Sequence, residues 1–421
     1  MDLRNKKVIV IGAGRSGKAA ARLLLSRAAE VDLSDSRDDT SIREELEPLA
    51  RLGVKMEFGG HREEFIQGHQ IAVLSPGVRQ DAKVISWLKS AGTQIVSEIE
   101  LAYRLFKGEV IAITGTNGKT TVTALIGKIL KDAGKKALVC GNIGNSFSNE
   151  AGSEDAGSIA VIETSSFQLE WTKDFRPRIS VLLNITDDHL DRYRDFSHYQ
   201  ETKFRIFLNQ QKGDFCLLNS DQPYCRQGLI KTRAKILYFD KKKGGFDLNQ
   251  RAAMLAAGLC GVGRDRIIES VKSFRPFEHR MEYVDTINGV KFINDSKSTN
   301  VGALKWALEK TAGPVILIAG GRDKKNDFGK LRPWIKDKVK EAVLIGEAGG
   351  KLKKALNGLV PLKEASTFNQ AFDLARSIAG RGEIVLLSPA CASFDMFSDF
   401  EERGRVFKDL VIKCKKQKGH F

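Results

Sequence analysis

Residues 108–134 read GEVIAITGTNGKTTVTALIGKILKDAG, and these residue types in this spacing suit the binding of phosphate. Gly115, Thr116, Asn117 and Gly118 form a tight turn after the apolar residues Val110, Ile111 and Ile113, and Lys119, Thr120 and Thr121 open the next segment. The free N–H groups of such a turn and of a helix beginning there point at anionic oxygens. A lysine adds a full charge, and a threonine hydroxyl can bind Mg²⁺. A standard phosphate loop has glycine four residues before Gly118, where this chain has Thr114. A plain glycine turn capping a helix therefore stays open as an alternative, but the strand–turn–helix setting favours a nucleotide-phosphate site.

A second glycine-rich turn, Gly12-Ala13-Gly14-Arg15-Ser16-Gly17, follows the apolar run 7–11 and precedes a predicted helix through 19–25. Asp35, near the end of a strand predicted over 30–33, stands at the distance expected of an acidic ribose contact. The glycines allow a ligand to approach the backbone, but they do not distinguish a dinucleotide from a uridine nucleotide. Ser75-Pro76-Gly77 closes the apolar run 70–74 and reads as a turn, plain or ligand-facing. Further polar groups close apolar runs: Gly141-Asn142-Ile143-Gly144, Glu163 with Thr164, Ser165 and Ser166, and Asn184 with Asp187-Asp188-His189. Ligands of open parallel sheets sit at the carboxyl ends of strands, so Lys119, Glu163 and His189 are expected to converge. Glu163 reads as a metal or water ligand more readily than as a helix cap. His189 reads either as a capping or surface histidine or as a magnesium ligand, oxygen being the commoner donor to a hard cation. Lys203, within a helix predicted over 199–207, reads by itself as solvent-facing.

The elements that must position these groups alternate between strand and helix, which predicts an α/β chain. With 421 residues it is long enough for two or three domains. The first, of about 95 residues, is too short for a complete two-half dinucleotide domain, which argues against a dehydrogenase. Helices are predicted near 42–52, 82–91, 245–258 and 265–271, and strands at 136–139, 158–162 and 179–183. Arg275-Pro276 reads as a linker. A hairpin is predicted from 281–286 and 290–294 around Asn288-Gly289. Strands at 314–319, 342–345 and 384–387 then alternate with helices at 303–308, 352–356 and 368–378, and polar groups again close the strands. The formal charge of +16 comes from scattered Lys and Arg, with clusters only at 241–243 and at Lys413, Lys415, Lys416 and Lys418. No nucleic-acid-binding signature accompanies it. Six irregularly spaced cysteines predict reduced thiols, with Cys140, Cys216 and Cys260 in apolar surroundings. A start lacking a cleavable signal pattern, and no apolar run of 18 residues, predict a cytoplasmic protein.

Six stretches carry a resemblance. These are 114–121 (TGTNGKTT), 141–144 (GNIG), 163–170 (ETSSFQLE), 184–193 (NITDDHLDRY), 292–300 (FINDSKSTN) and 388–395 (SPACASFD). In this order the chain resembles the Mur ligases of peptidoglycan synthesis over nearly its full length. The resemblance implies three domains: a Rossmann-like one over 1–96 for a uridine-nucleotide substrate, a central P-loop mononucleotide-binding α/β domain over 97–276 for ATP, and a Rossmann-like C-terminal one over 277–421 for an amino acid. The implied reaction joins D-glutamate to UDP-N-acetylmuramoyl-L-alanine through an acyl phosphate, in a monomer without nucleic-acid or membrane partners. Catalysis would rest on Lys119, Glu163, His189, Lys203 and Lys297. One Mg²⁺ would be held by Thr120 and Glu163, and a second by Glu163, His189 and a carbamate on Lys203. ATP would meet Gly118, Lys119, Thr120, Thr121, Asn142, Asn249, Arg280 and Asp295. The uridine nucleotide would meet Gly14, Arg15, Ser16, Asp35, Ser36, Arg37, Ser75, Pro76, Gly77, Asn142, Thr164, Ser165 and Ser166. D-Glutamate would meet Thr299, Lys324, Ser393 and the backbone around Phe400. One departure stands out: the family's His-Asn-x-x-Asn pattern falls on Leu248-Asn249-Gln250-Arg251-Ala252, which keeps only Asn249. Alternatives are a sister ligase adding another amino acid, a folate-type glutamate ligase, or a binding protein that keeps the fold without turnover.

Overall fold

Runs of consecutive aliphatic residues build three sheets. In the first, β1 (Lys7–Ile11), β2 (Glu30–Asp35), β3 (Lys55–Phe58), β4 (Ile71–Leu74) and β5 (Gln94–Ser97) pair in parallel in the order 3-2-1-4-5. In the second, β6 (Glu109–Thr114), β7 (Ala137–Gly141), β8 (Ile159–Glu163), β9 (Ile179–Leu182), β10 (Phe215–Asn219) and β11 (Lys235–Phe239) are parallel in the order 11-10-9-6-8-7. The third orders β12 (Glu282–Ile287), β13 (Val290–Asn294), β14 (Val315–Gly320), β15 (Val339–Ile345), β16 (Leu362–Ala365) and β17 (Ile384–Leu387) as 12-13-17-14-15-16. Only its β12–β13 hairpin is antiparallel. Asn288 and Gly289 at that turn both have positive φ, 54° and 78°, which matches the right-handed twist of the two strands.

The computed structural model describes residues 1–152, 156–189, 192–240, 245–275, 278–323 and 326–416. Of the residues singled out above, 241–243, Leu190, Asp191, Pro276, Lys324 and Lys418 lie outside these ranges. The chain packs as two units, Met1–Ile185 with Ser197–Phe274, and Thr186–Phe196 with Arg275–Phe421. Among the described residues no helix is long and apolar enough to cross a membrane. All six cysteines are free thiols, and Cys260 is only half-buried.

Inner strands such as β4, β8, β9 and β17 are buried along their whole length because helices cover both faces of their sheets. On the second sheet the helix Lys119–Asp132 shares one core with the helix Leu248–Leu259, through Val122, Leu125, Ile126, Ala252, Ala253 and Ala256. The third sheet alternates its side chains between two cores, Leu317, Leu344 and Leu386 facing one and Ile316, Val343 and Val385 the other.

The first two sheets belong to one unit and are tied by the helix Glu98–Leu105. Buried Glu100 accepts from the backbone N–H groups of Lys173, Asp174 and Phe175 at 2.9, 2.9 and 3.0 Å. Buried Glu98 accepts from Ser148 N–H at 2.6 Å, and burial pushes its carboxyl above the ordinary range despite that bond and the nearby Arg15. These two carboxylates were not singled out by the sequence, nor were β3, β5, β10, β11, β16 and the helix Phe400–Lys416.

Candidate active site

The phosphate loop leaves the end of β6, a central strand flanked by β8 and β9. Gly115 at φ 152° and Gly118 at φ 87° take conformations that L side chains rarely adopt. The glycine that a standard loop has at 114 is replaced by a threonine with a structural bond: Thr114 Oγ1 donates to Thr164 O at 2.9 Å, and Thr164 Oγ1 returns a bond to Ile113 O at 3.0 Å. Asn184 braces the turn, its Oδ1 accepting from Asn117 N–H at 2.9 Å and its Nδ2 donating to Asn117 O at 3.0 Å. The helix Lys119–Asp132 begins at once, with Gly118 as its N-cap, so its free amides and positive dipole end face the turn.

Two amines converge on one carbonyl there. Lys119 Nζ donates to Gly115 O and Thr116 O, each at 2.9 Å, and Lys203 Nζ donates to Gly115 O at 3.0 Å. The solvent-facing reading of Lys203 is thereby corrected: its residue is 1% exposed and its ammonium lies 4.7 Å from the centre of the Tyr199 ring. Tyr199, which the sequence did not flag, also bonds Thr116 Oγ1 through its hydroxyl at 3.2 Å. The predicted helix 199–207 is an α-helix over Phe196–Phe204 followed by a 3-10 turn over Arg205–Phe207.

Glu163 ends β8, beside Ile113 of β6. It is 2% exposed; Oε1 accepts from Asn142 Nδ2 at 2.9 Å, and Oε2 has no hydrogen-bond partner. A buried carboxylate oxygen without a partner is costly unless a cation or water meets it. Glu163 with Thr120, which is buried in the first turn of the phosphate-loop helix, therefore fits Mg²⁺, a cation that takes few protein oxygens and completes its shell with phosphates and water. Among the described residues no three His, Cys, Asp or Glu side chains gather as a ready-made metal cage. Ser165 caps the short helix Ser166–Leu169 in a reciprocal box with Gln168. Asn249 stands directly against the loop, since a Cβ on Gly118 would come within 2.6 Å of its Oδ1. Ala252, where the family pattern has asparagine, is fully buried among the alanines that let this helix pack closely.

In the first sheet Gly12 has φ 92°, and a Cβ on Gly17 would lie 1.9 Å from Gly12 O, so the turn and its helix Arg15–Ser26 require both glycines. Asp35 accepts from Ala13 N–H at 2.6 Å and from Arg37 N–H at 2.8 Å, and also pairs with the Arg37 guanidinium. Burial works to raise its carboxyl, but Arg37 and these amides outweigh it and hold the group below the ordinary range. Ser75 Oγ donates to Gly12 O at 2.7 Å, bringing the ends of β1 and β4 together, with Pro76 following half-buried and Gly77 exposed. The candidates Gly14, Arg15, Ser16, Asp35, Ser36, Arg37 and Ser75 thus lie at or just beyond the carboxyl ends of the adjacent inner strands β1, β2 and β4.

In the second unit, the loops at the carboxyl ends of β13 and β17 are drawn together by Arg403, which the sequence did not flag, and the loop after β14 joins them through Arg322. Its guanidinium, 1% exposed, donates to Ser296 Oγ at 3.0 Å, Ser296 O at 2.8 Å, Cys391 O at 3.2 Å and Ala392 O at 3.3 Å. Burial lowers its pKa to about 10. Ser296 Oγ donates to Phe400 O at 2.8 Å, and Arg322 and Ala392 exchange backbone bonds. Thr299, Ser393 and Phe400 are therefore carried by loops tied to one side chain, while Lys297 lies 5.1 Å from the Phe400 ring centre. Asp295 is 1% exposed, accepting from Ser388 Oγ at 2.8 Å and Met281 N–H at 3.1 Å. Burial pushes its carboxyl up to about 6 against the opposing charge of Arg280.

His189 belongs to this second unit, whereas Lys119, Glu163 and Lys203 belong to the first. It holds a left-handed backbone, φ 55°, fixed by its own N–H bond to Asp188 Oδ1 at 3.0 Å.

Three family models match the chain: "Mur ligase MurD-like, N-terminal domain" over 6–97, "Mur ligase middle domain" over 113–257 and "Mur ligase, glutamate ligase domain" over 279–391. A UDP-N-acetylmuramoylalanine–D-glutamate ligase of Acidobacterium capsulatum is 40% identical, covering 98% of this chain and 97% of the relative. One of Caldanaerobacter subterraneus is 39% identical over 99% of this chain and 100% of its own. The fold is shared with the MurF ligase of Thermotoga maritima, solved in complex with ADP, at TM-score 0.62 and 15% identity, covering 98% of this chain and 96% of that one. It is shared too with a pseudomurein peptide ligase type C of Methanothermus fervidus, at TM-score 0.60 and 19% identity over 97% and 100%. The three sheets, the phosphate loop and these full-length matches lead to one conclusion: the chain belongs to the Mur ligase family, among the UDP-N-acetylmuramoylalanine–D-glutamate ligases.

Proposed function

We infer that this protein joins D-glutamate to UDP-N-acetylmuramoyl-L-alanine at the expense of ATP, giving ADP and phosphate, in the cytoplasmic assembly of a peptidoglycan precursor. The observation that carries this reading is the 40% identity, over 98% of the chain, to a ligase of that name. The uridine nucleotide is assigned to 1–96, ATP to 97–276 and the amino acid to 277–421.

A carboxylate resists attack by an amine because it would have to expel an oxide. Transfer of the γ-phosphoryl group to the terminal carboxylate of UDP-N-acetylmuramoyl-L-alanine supplies a leaving group. The D-glutamate amine then attacks the acyl carbon, and the tetrahedral intermediate releases phosphate to form the amide. Two anions must first meet, and Lys119 with the loop amides offsets their repulsion, Lys297 assisting. Bound Mg²⁺ supplies further neutralisation of the phosphates; Thr120 and Glu163 would hold one ion, and Glu163, His189 and carbamylated Lys203 a second.

The carbamate has a physical motive. Two ammonium groups bonded to the single Gly115 carbonyl repel each other. Reaction of the neutral Lys203 amine with carbon dioxide, releasing a proton, replaces one cation with an anion that attracts Lys119 and can ligate a metal. The reaction needs the neutral lysine amine, and Lys203 is buried beside the phosphate loop. D-Glutamate is assigned to Thr299, Ser393, Lys324 and the backbone near Phe400.

The test is ATP-dependent phosphate release with UDP-N-acetylmuramoyl-L-alanine and, in parallel, D-glutamate, L-glutamate, lysine and L-alanine. Turnover with D-glutamate alone is expected. A better rate with any of the others would overturn the assignment of the amino-acid site.

A further inference from the structure

The loop that carries His189 is held from the side of the third sheet. Asn300, the last residue of the FINDSKSTN stretch, caps the helix Val301–Lys310 by accepting from Ala303 N–H at 2.9 Å through Oδ1. Its Nδ2 donates to Asp188 Oδ2 at 3.1 Å, and both residues are buried, 4% and 7% exposed. The same Asp188 carboxylate accepts the His189 N–H through Oδ1, and its Oδ2 lies 3.7 Å from the His189 Nε2. On the other side of His189, its carbonyl accepts from Arg192 and Tyr193 N–H at 2.9 and 3.1 Å. Asp187 next door pairs with Lys330. A histidine at φ 55° is strained, and such a conformation persists only where its surroundings over-determine it. Asp188 does so, and Asn300 fixes the carboxylate of Asp188.

We propose that Asn300 is a positioning residue for His189: its amide holds the Asp188 carboxylate, which sets the backbone and imidazole of His189 for a divalent cation. This rests on the reading of His189 as a metal ligand given above. One asparagine thus serves two ends. Its oxygen starts a helix beside the amino-acid loops, and its nitrogen fixes a ligand for the metal, so the segment assigned to D-glutamate also sets metal affinity. Removing a group bonded directly to a metal ligand lowers metal affinity about 10–100-fold, and Asn300, which acts on the ligand through Asp188, belongs at the lower end of that range.

The discriminating variant is Asn300→Ser, because serine keeps the cap oxygen and loses the amide donor. Mn²⁺ binding to the full chain is followed by electron paramagnetic resonance, and the half-saturating Mg²⁺ for turnover is measured alongside. Wild type, Asn300→Ser, His189→Ala and the double variant are compared. Asn300→Ser is expected to weaken cation binding about tenfold, to lower the melting temperature equally in the wild-type and His189→Ala backgrounds, and to add nothing to the loss of cation binding in the latter. Weakening by His189→Ala but not by Asn300→Ser would overturn the positioning role and leave the metal reading standing. Additive effects of the two on cation binding would overturn it as well, by showing that Asn300 acts elsewhere. No effect of His189→Ala would overturn the metal reading itself and the proposal with it. Should the serine variant not fold, Asn300→Thr, which retains a hydroxyl cap acceptor and lacks the amide donor without adding charge, carries the same comparison.

Discussion

Asp295 stores free energy against its own charge. It is buried to 1% exposure behind the end of β13, and burial moves its carboxyl from 3.8 to about 6 despite Arg280, the Ser388 hydroxyl and the Met281 amide. That displacement corresponds to about 3 kcal/mol between the two protonation states. The folded state prefers the protonated acid. The stabilisation from this group is therefore fully present below about 3.8 and is lost as pH rises through about 6. At neutral pH the second unit folds around a carboxylate it would rather protonate; Asp295 is proposed to meet the nucleotide. Asp295→Asn abolishes the titration. Its oxygen can still accept the Met281 N–H, and a mismatch with Ser388 costs about 1 kcal/mol. The stability difference between variant and wild type should therefore grow in the variant's favour by about 2 kcal/mol between pH 4 and pH 7.5, the rest of the shift lying below pH 4, while ATP-dependent turnover falls. Hydrogen exchange of the peptides spanning β13 and β17, compared between the two proteins at each pH, reads this directly. Asp295 N–H itself bonds Leu387 O at 2.8 Å and reports local opening. A difference that stays flat with pH would refute the assignment of a raised pKa to Asp295.

Lys119→Ala should fold, since its half-buried side chain bonds the carbonyls of the loop, and should lose about 3–4 kcal/mol of transition-state stabilisation; near-normal kcat would mean the loop does not bind ATP. Lys203→Ala should fold but lose nearly all turnover, with partial rescue by acetate or formate, which can occupy the vacated volume and supply the missing carboxylate. Lys203→Arg should stay inactive because it keeps the charge and cannot form the carbamate, and full activity of the alanine variant without added acid would sink that proposal.

Much of the fold is legible in the chain where burial is complete. β1, β6 and β17 read as near-continuous aliphatic runs because both faces of their sheets are covered, and Asn288-Gly289 announces a hairpin because such a pair tolerates positive φ twice. The edge strands β3, β11 and β16 carry charged or exposed residues and lose that signature. The helix Phe400–Lys416 is rich in charge, though Phe407, Val411 and Cys414 form a buried stripe at spacings of four and three that could have revealed it. Site residues at strand ends, Glu163 and Asp295 among them, are legible as polar interruptions of apolar runs. Lys203 is not, because a lysine in a polar helix says nothing of the carbonyl it will meet 88 residues away in sequence. Arg403 and Asn300 are hidden for the same reason: their roles come from loops that only the folded sheet brings together.

The most direct test of an acyl-phosphate ligase follows the carboxylate oxygens. UDP-N-acetylmuramoyl-L-alanine labelled with oxygen-18 in its terminal carboxylate is turned over with ATP and D-glutamate, and the released phosphate is examined by mass spectrometry. Activation by phosphoryl transfer predicts one labelled oxygen in each phosphate formed. Phosphate free of label, at full conversion to the amide product, would contradict the account.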